Sequence, residues 1–274
     1  MRITTVGCVH TLVVVFSAYT SSNEPIVYES EVEAVRFGLS VGRLLVPLDS
    51  RLTDRQISNL CGESAYDLVI VRASTRRTEL FQTLVAEKNR SVLHADTLRY
   101  FSWALEHAEE SGTESTPHWV IDSTSSFDAV QVLVGDSFIG YRNHYSENPR
   151  LAESATLDGY LEWARTAMGL DTSRTFVARD PESRRAIGFV LANLDTESQS
   201  AEILLNGVAS EFRRRGVYRA CILGAAQTMM QVDGVKRIVI STQSSNIPVI
   251  EAWRSLGLQP WFSINTFHVM REGA

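Results

Sequence analysis

The densest group of side chains with chemical potential lies between residues 202 and 218. Glu202 stands in the apolar run Ala201-Glu202-Ile203-Leu204-Leu205-Asn206-Gly207-Val208, and the turn Arg213-Arg214-Arg215-Gly216-Val217-Tyr218 follows. Beyond it Cys221, Ala225 and Met229 recur at helical spacing beside Ile222 and Ala226. A strand, a tight turn and a helix in that order aim unpaired backbone N–H groups at one point. Gly216 lets the backbone approach a ligand closely, and the arginines add positive charge, which suits a pyrophosphate. A basic cluster before a helix also fits a solvated loop. These residues alone admit both readings.

The surrounding elements must position that turn. In the first half, residues 38–46 read as a strand, and Thr53 with Gln56 forms a helix-start signal in which Thr53 caps and Gln56 reaches back. Residues 66–72 hold a continuous apolar run typical of a strand covered on both faces. Thr78, Glu79, Leu80, Phe81, Leu84 and Val85 carry helical spacing, and 91–98 reads as another strand. No nucleophile, phosphate loop or metal cluster stands out in this half. Residues 106–126 turn polar and rich in Ser, Thr and Glu around Trp119-Val120-Ile121, which marks a boundary and opens a second domain. The division expected is 1–117 and 118–274.

In the second half, helical patterns at 128–141 and 156–168 flank Tyr141-Arg142-Asn143-His144-Tyr145, with Thr156 as a cap and Tyr160, Leu161 and Ala164 on one face. Strands at 175–178, 186–192 and 201–208 are separated by Asp180-Pro181-Glu182-Ser183 and Asp195-Thr196-Glu197-Ser198, an antiparallel meander. A helix at 216–231, a strand at 237–241, a helix at 248–256 and a strand pair around 260–270 complete the chain. The class is α/β with a mixed sheet.

Composition narrows the function. The chain has 274 residues, 44% apolar and 21% charged, enough for two cores and typical of globular proteins. A net charge of −6 and a pI near 5.6 argue against nucleic acid or an anionic membrane as partner. Cys8, Cys61 and Cys221 fit neither a disulfide framework nor zinc spacing. The apolar run 6–18 imitates a secretory signal, but only Arg2 precedes it and His10 interrupts it. Val13, Val14 and Val15 suit a buried first strand.

Arg213 to Tyr218 resembles the coenzyme A turn of the GNAT acetyltransferases, Gln/Arg-x-x-Gly-x-Gly/Ala. Arg213 and Gly216 fit, and Tyr218 replaces the small residue. Ala201-Glu202-Ile203 lies at the same distance before the turn as in GNAT histone acetyltransferases, where that Glu is the general base. Asn246 and Ala252-Trp253-Arg254-Ser255-Leu256-Gly257-Leu258 resemble the family's Asn and Tyr-x-x-x-Gly-Phe segment. Trp253 stands where many relatives carry the tyrosine that protonates the departing thiolate, and an indole N–H cannot serve as that acid. The likeness covers residues 119–270.

A narrower resemblance rests on Tyr28-Glu29-Ser30-Glu31, Gly42-Arg43-Leu44, residues 66–72, residues 140–145 and Thr266-Phe267-His268. Together these are similar to the tandem GNAT enzymes that acylate nucleotide-linked amino sugars, the group of dTDP-fucosamine acetyltransferase. The resemblance implies a tandem GNAT fold, a mixed, mostly antiparallel sheet flanked by helices, with a degenerate GNAT-like N-terminal half that lacks a working turn. It implies acetyl-CoA or another short acyl-CoA as co-substrate and no metal.

The same resemblance implies roles. Val208, Arg213, Arg214, Arg215, Gly216, Val217, Tyr218 and Asn246 would hold the cofactor. Glu202 is the first choice of base, read as sharing a strand face with Leu204 and Asn206. His144 is the second. His268 and Tyr218 are candidates for the acid, and Tyr141 and Tyr145 for contact with the sugar nucleotide. Each also has a purely structural reading: an edge carboxylate, a satisfied histidine, a core aromatic. The acceptor implied is the amine of a dTDP-linked amino sugar, against protein or peptide acetylation or a noncatalytic acyl-CoA sensor. A coenzyme A enzyme belongs in the cytoplasm, and a homodimer is compatible with the sequence.

Overall fold

A computed structural model describes residues 4–5, 16–105, 119–151 and 155–273. The expected first strand therefore falls mostly outside the described residues. In chain order the elements are β1 (Thr4–Thr5), α1 (Ser17–Thr20), β2 (Ile26–Glu29), α2 (Glu31–Phe37), β3 (Val41–Leu45), α3 (Asp54–Gly62), β4 (Leu68–Ser74), α4 (Leu80–Val85), β5 (Arg90–Ala104) and β6 (Val120–Ser123). They continue with α5 (Phe127–Phe138), α6 (Ala155–Met168), β7 (Ser173–Arg179), β8 (Ala186–Asp195), β9 (Ser200–Val208), α7 (Val217–Asp233), β10 (Arg237–Gln243), α8 (Ile247–Ser255) and β11 (Gln259–Arg271). Among the described residues no helix is long and apolar enough to cross a membrane.

The chain packs as two compact units. The first comprises 1–99, 142–156 and 262–274, and the second 100–141 and 157–261. This differs from a division at 117/118. The final strand pairs antiparallel with β4 through Ile264↔Ser74 to Met270↔Leu68, so its residues from Phe262 onward join the first unit. Pairing between strands almost 200 positions apart leaves no local trace in sequence. The expected strand pair at 260–270 is likewise a single strand, β11.

In the first unit the strand order is β1-β2-β3-β4-β11-β5. β3 and β4 run parallel, while β2–β3 and β4–β11 are antiparallel. One sheet face is apolar: Leu44, Val69, Val71, Phe267 and Val269 pack with Ile57 and Cys61 of α3 and Leu80 and Leu84 of α4. α3 begins with the capping box expected, Thr53 accepting from the Gln56 N–H and Gln56 reaching back to Thr53. The opposite face mixes Val41, Leu68, Ile70 and Met270 with buried polar side chains.

In the second unit the order is β5-β10-β9-β8-β7-β6. β6 to β9 form the antiparallel meander, and β10 returns parallel to β9 after the crossover helix α7. Ala220, Cys221, Ile222, Ala225, Ala226 and Met229 of α7 cover Phe176, Ala178, Val190, Ala192, Ala201 and Ile203. Helical spacing in α7 and period 2 in the strands meet across this core.

Candidate active site

The site is assembled in the second unit around β9. Its pairing with β8 shifts register between Leu191↔Leu205 and Ala192↔Ile203, leaving Leu204 as the extra residue of a β-bulge. The bulge changes which residues share a face. Glu202 lies opposite Asn193, and Leu205 and Gly207 lie opposite Leu191 and Phe189, so these three point one way. Asn206, opposite Val190, points the other way with Ala201 and Ile203, toward α7. The expectation that Glu202 shares a face with Leu204 and Asn206 is thus corrected. An inserted residue inverts the alternation, and simple period 2 cannot detect it. Glu202 is buried on the α5 side, where a Cβ on Gly207 would collide with Ser137 of α5.

The bulge sits where β9 and β10 part. Their ladder joins Arg237–Ile240 to Ser200–Ile203, and no pair follows it among the described residues. Beyond that point the Ala209 N–H donates to the Ile187 carbonyl of β8 at 2.8 Å. Alternation along an antiparallel ladder then turns the Asn206 and Val208 main-chain groups away from β8, toward the wedge that opens before β10. The Val208 carbonyl accepts from Arg213 Nε at 3.4 Å, which folds that arginine back over the strand end. Asp136 of α5 accepts from the Ser210 N–H and ties α5 to the start of the turn.

The turn itself is a concavity of main-chain donors. Arg214 has φ +63° and Gly216 φ +82°, two left-handed residues that curl the backbone immediately ahead of α7. Such alternation gathers successive N–H groups into an anion-binding nest. The N-terminal end of the 17-residue α7 adds its partial positive charge. Arg213, Arg214 and Arg215 are exposed around it, with the Arg215 guanidinium 5.4 Å from the Phe212 ring centre.

Further residues gather at the free end of β10. Asn246 donates through Nδ2 to Thr242 Oγ1 at 3.1 Å and to the Tyr141 hydroxyl at 3.4 Å. Tyr141 donates to Gln243 Oε1 and packs edge-on against Phe138 and Tyr160. Tyr141 and Asn246, assigned by sequence to different ligands, therefore share one cluster. Thr242 and Gln243 were not singled out by sequence. Tyr218, in the first turn of α7, accepts from Trp253 Nε1 at 2.8 Å, which accounts for the bulky residue where the family has a small one.

His144, Tyr145 and His268 belong instead to the first unit. Asn148 Oδ1 accepts from the Arg150 N–H at 3.1 Å, so its amide Nδ2 faces His268 Nδ1, 3.0 Å away. His268 then carries its proton on Nε2 and donates to His144 Nδ1 at 2.9 Å. Burial, with the Arg43 and Arg72 guanidiniums nearby, brings His268 down to about 4 despite the opposing Glu33 carboxylate. Burial followed by Arg72, His268 and Arg43 holds His144 well below its usual range. Tyr145 donates to Glu33 Oε1 and accepts from Arg43 Nη2 at 2.9 Å. The first unit thus commits all three side chains to internal hydrogen bonds.

This pair sets a pH dependence. A histidine whose folded pKa is depressed contributes stability above its unfolded pKa and loses it as pH falls toward the folded one. The first unit is expected to lose roughly 3 kcal/mol through His268 alone between about pH 6.5 and about pH 4. Amide exchange in β4 across that range reads it. Protection unchanged from pH 7 to pH 4 would contradict the assignment.

Among the described residues no group of three or more His, Cys, Asp or Glu could hold a metal ion. Residues 128–258 match the sequence profile of the Acetyltransferase (GNAT) family. There is no significant match among curated protein sequences. Similar solved structures include a tandem GNAT protein from the clavulanic acid biosynthesis pathway, with TM-score 0.58, 13% identity, and coverage of 85% of this chain and 76% of that one. A conserved protein of unknown function from Staphylococcus epidermidis matches with TM-score 0.57, 12% identity and 93% coverage of each chain. A GCN5-related N-acetyltransferase from Kribbella flavida gives TM-score 0.53, 12% identity, and 85% and 82% coverage. At such identities the likeness speaks for the fold, mixed α/β and like that of tandem GNAT proteins. The parted strands and the left-handed turn both lie within the residues that match the GNAT family profile.

Proposed function

We propose that the enzyme transfers an acetyl or other short acyl group from acyl-CoA to the amine of a dTDP-linked amino sugar. The pyrophosphate of the co-substrate rests in the nest at residues 213–218, under the N-terminus of α7. The pantetheine enters the wedge between β9 and β10, where the main-chain N–H groups of Asn206 and Val208 polarise the thioester carbonyl and stabilise the oxyanion. The amine must be neutral to attack, and Glu202 takes its proton directly or through water. The observation that carries this reading is the buried Glu202 carboxylate beside a bulge at the point where the two strands separate.

The amino-sugar acceptor rests on the ordered segments at 28–31, 42–44, 66–72, 140–145 and 266–268, whose combination resembles enzymes of that substrate class. On the same ground the N-terminal half, residues 1–117, is read as a degenerate GNAT-like domain without a cofactor turn. With acyl-CoA as co-substrate, the compartment proposed is the cytoplasm.

Free thiol release from acetyl-CoA with a panel of dTDP-linked 3- and 4-amino sugars tests the reading. Release dependent on one amino sugar supports it, and release only with basic peptides replaces it with peptide acetylation. Binding of acetyl-CoA with no release under any condition would leave a sensor. Glu202→Gln keeps the shape of the side chain and removes the base. Its kcat is expected to fall about tenfold to a thousandfold with KM for acetyl-CoA little changed. Wild-type turnover in that variant would pass the role to water.

A further inference from the structure

Acyl transfer must also discharge a thiolate, and the position that supplies its proton in the resembled family is Trp253 here. The indole is buried, edge-on to Phe101 with ring centres 5.4 Å apart, and its one polar hydrogen is spent on the Tyr218 oxygen. That bond has a consequence for the phenol. An oxygen that accepts from Trp253 keeps its own hydrogen for another acceptor, and the indole donor then stabilises the phenolate left after that hydrogen departs.

Tyr218 is also well placed. It lies two residues beyond Gly216 in the first turn of α7, where the helix N-terminus favours a negative charge. Tyr141 is close enough for its hydroxyl to bear on the ionisation of Tyr218, and Tyr141 reaches Thr242, Gln243 and Asn246 at the parted end of β10. The phenol therefore lies beside the cofactor turn and is tied across to α8. Burial raises it above its ordinary value, and the hydrogen bond from Trp253 pulls against that rise.

We infer that Tyr218 is the catalytic residue that protonates the departing coenzyme A thiolate, and that Trp253 is the positioning residue that aims it. The inference rests on the acyl-transfer reading of the same site. The acceptor nitrogen bonds to the thioester carbonyl carbon, and its surplus proton goes to Glu202. The carbon–sulfur bond breaks with its electron pair on sulfur. The Tyr218 proton moves to that sulfur, and the phenolate, held by the Trp253 N–H, regains through solvent water the equivalent of the proton that Glu202 then releases. The aromatic exchange relative to the family is then a relocation of the acid from α8 to α7.

Tyr218→Phe and Trp253→Phe each keep an aromatic ring and remove one polar hydrogen. Thiol release is measured with acetyl-CoA and the amino-sugar panel, and acetyl-CoA affinity by titration calorimetry. Tyr218→Phe is expected to lower kcat about tenfold to a hundredfold while the acetyl-CoA Kd stays within about twofold. Trp253→Phe is expected to show a smaller fall with the same split, and the double variant to fall no further than Tyr218→Phe alone. A folded Tyr218→Phe with kcat within about twofold of wild type overturns the inference, as does a double variant whose losses simply multiply. Should Tyr218→Phe fail to fold, Trp253→Phe decides: unchanged kcat overturns the pairing. A wild-type protein that releases no thiol with any amine overturns the acyl-transfer reading, and the proton donor with it.

Discussion

Gly216→Glu is expected to weaken acetyl-CoA binding by at least about a hundredfold. Two effects add. The residue sits at φ +82°, in the left-handed region, where an L side chain costs roughly 1–2 kcal/mol. The new carboxylate would also stand among the N–H donors of the nest and the first turn of α7, in the place of a pyrophosphate. Gly216→Asn separates the two, because asparagine tolerates the left-handed region and carries no charge. Its loss should be several-fold smaller. Calorimetric titration of both variants, with circular dichroism as a check on folding, provides the comparison. Unchanged binding by a folded Gly216→Glu would remove the turn as the coenzyme A site.

The turn is the part of the site that sequence exposes best, since glycine at a left-handed position after a basic run is a local requirement. The capping box at Thr53 and Gln56 and the meander from β7 to β9 are legible for the same reason: each is decided within a few residues. The face of Glu202 was not legible. One inserted residue at Leu204 reverses it, and a bulge in an apolar run has no compositional mark. The pairing of Trp253 with Tyr218 was half visible, as two departures from one family pattern whose mutual contact only the fold reveals. In the first unit β2 and α2 escaped notice because they are short and mixed in polarity. The histidines at 144 and 268 met through residues 124 apart in sequence, and no spacing rule could join them.

The second large effect concerns Glu33 and Arg43. The guanidinium donates to the carboxylate through Nε at 2.7 Å and Nη2 at 2.5 Å, with side-chain exposures of 12% for Arg43 and 3% for Glu33. Burial alone would raise the Glu33 carboxyl, but Arg43 and the hydrogen bonds from Arg43 and Tyr145 pull it to about 2. Glu33→Gln leaves a buried guanidinium without its counter-charge and is expected to cost the first unit about 3–5 kcal/mol. Replacing both partners with apolar residues, Glu33→Met and Arg43→Met, should recover most of that loss.

Because this carboxyl is depressed, its contribution is present above the ordinary value near 4.5 and disappears as pH falls toward about 2. The readout must report the right unit. All five tryptophans, at 103, 119, 163, 253 and 261, lie in the second unit, so their fluorescence is not a direct report on the first. Amide exchange in β3 and β4 is the measurement. Equal protection in wild type and Glu33→Gln would show that the ion pair is dispensable.

β11 lies between β4 and β5 in the first unit. During synthesis the ribosome releases β4 and the first ten residues of β5 long before residues 262–271 exist, so those two strands must wait with open edges. Residues 100–261 contain the whole second unit and can mature first. The N-terminal half is then the last to close, against the usual order of translation, and depends meanwhile on whatever shields a nascent strand edge from its neighbours.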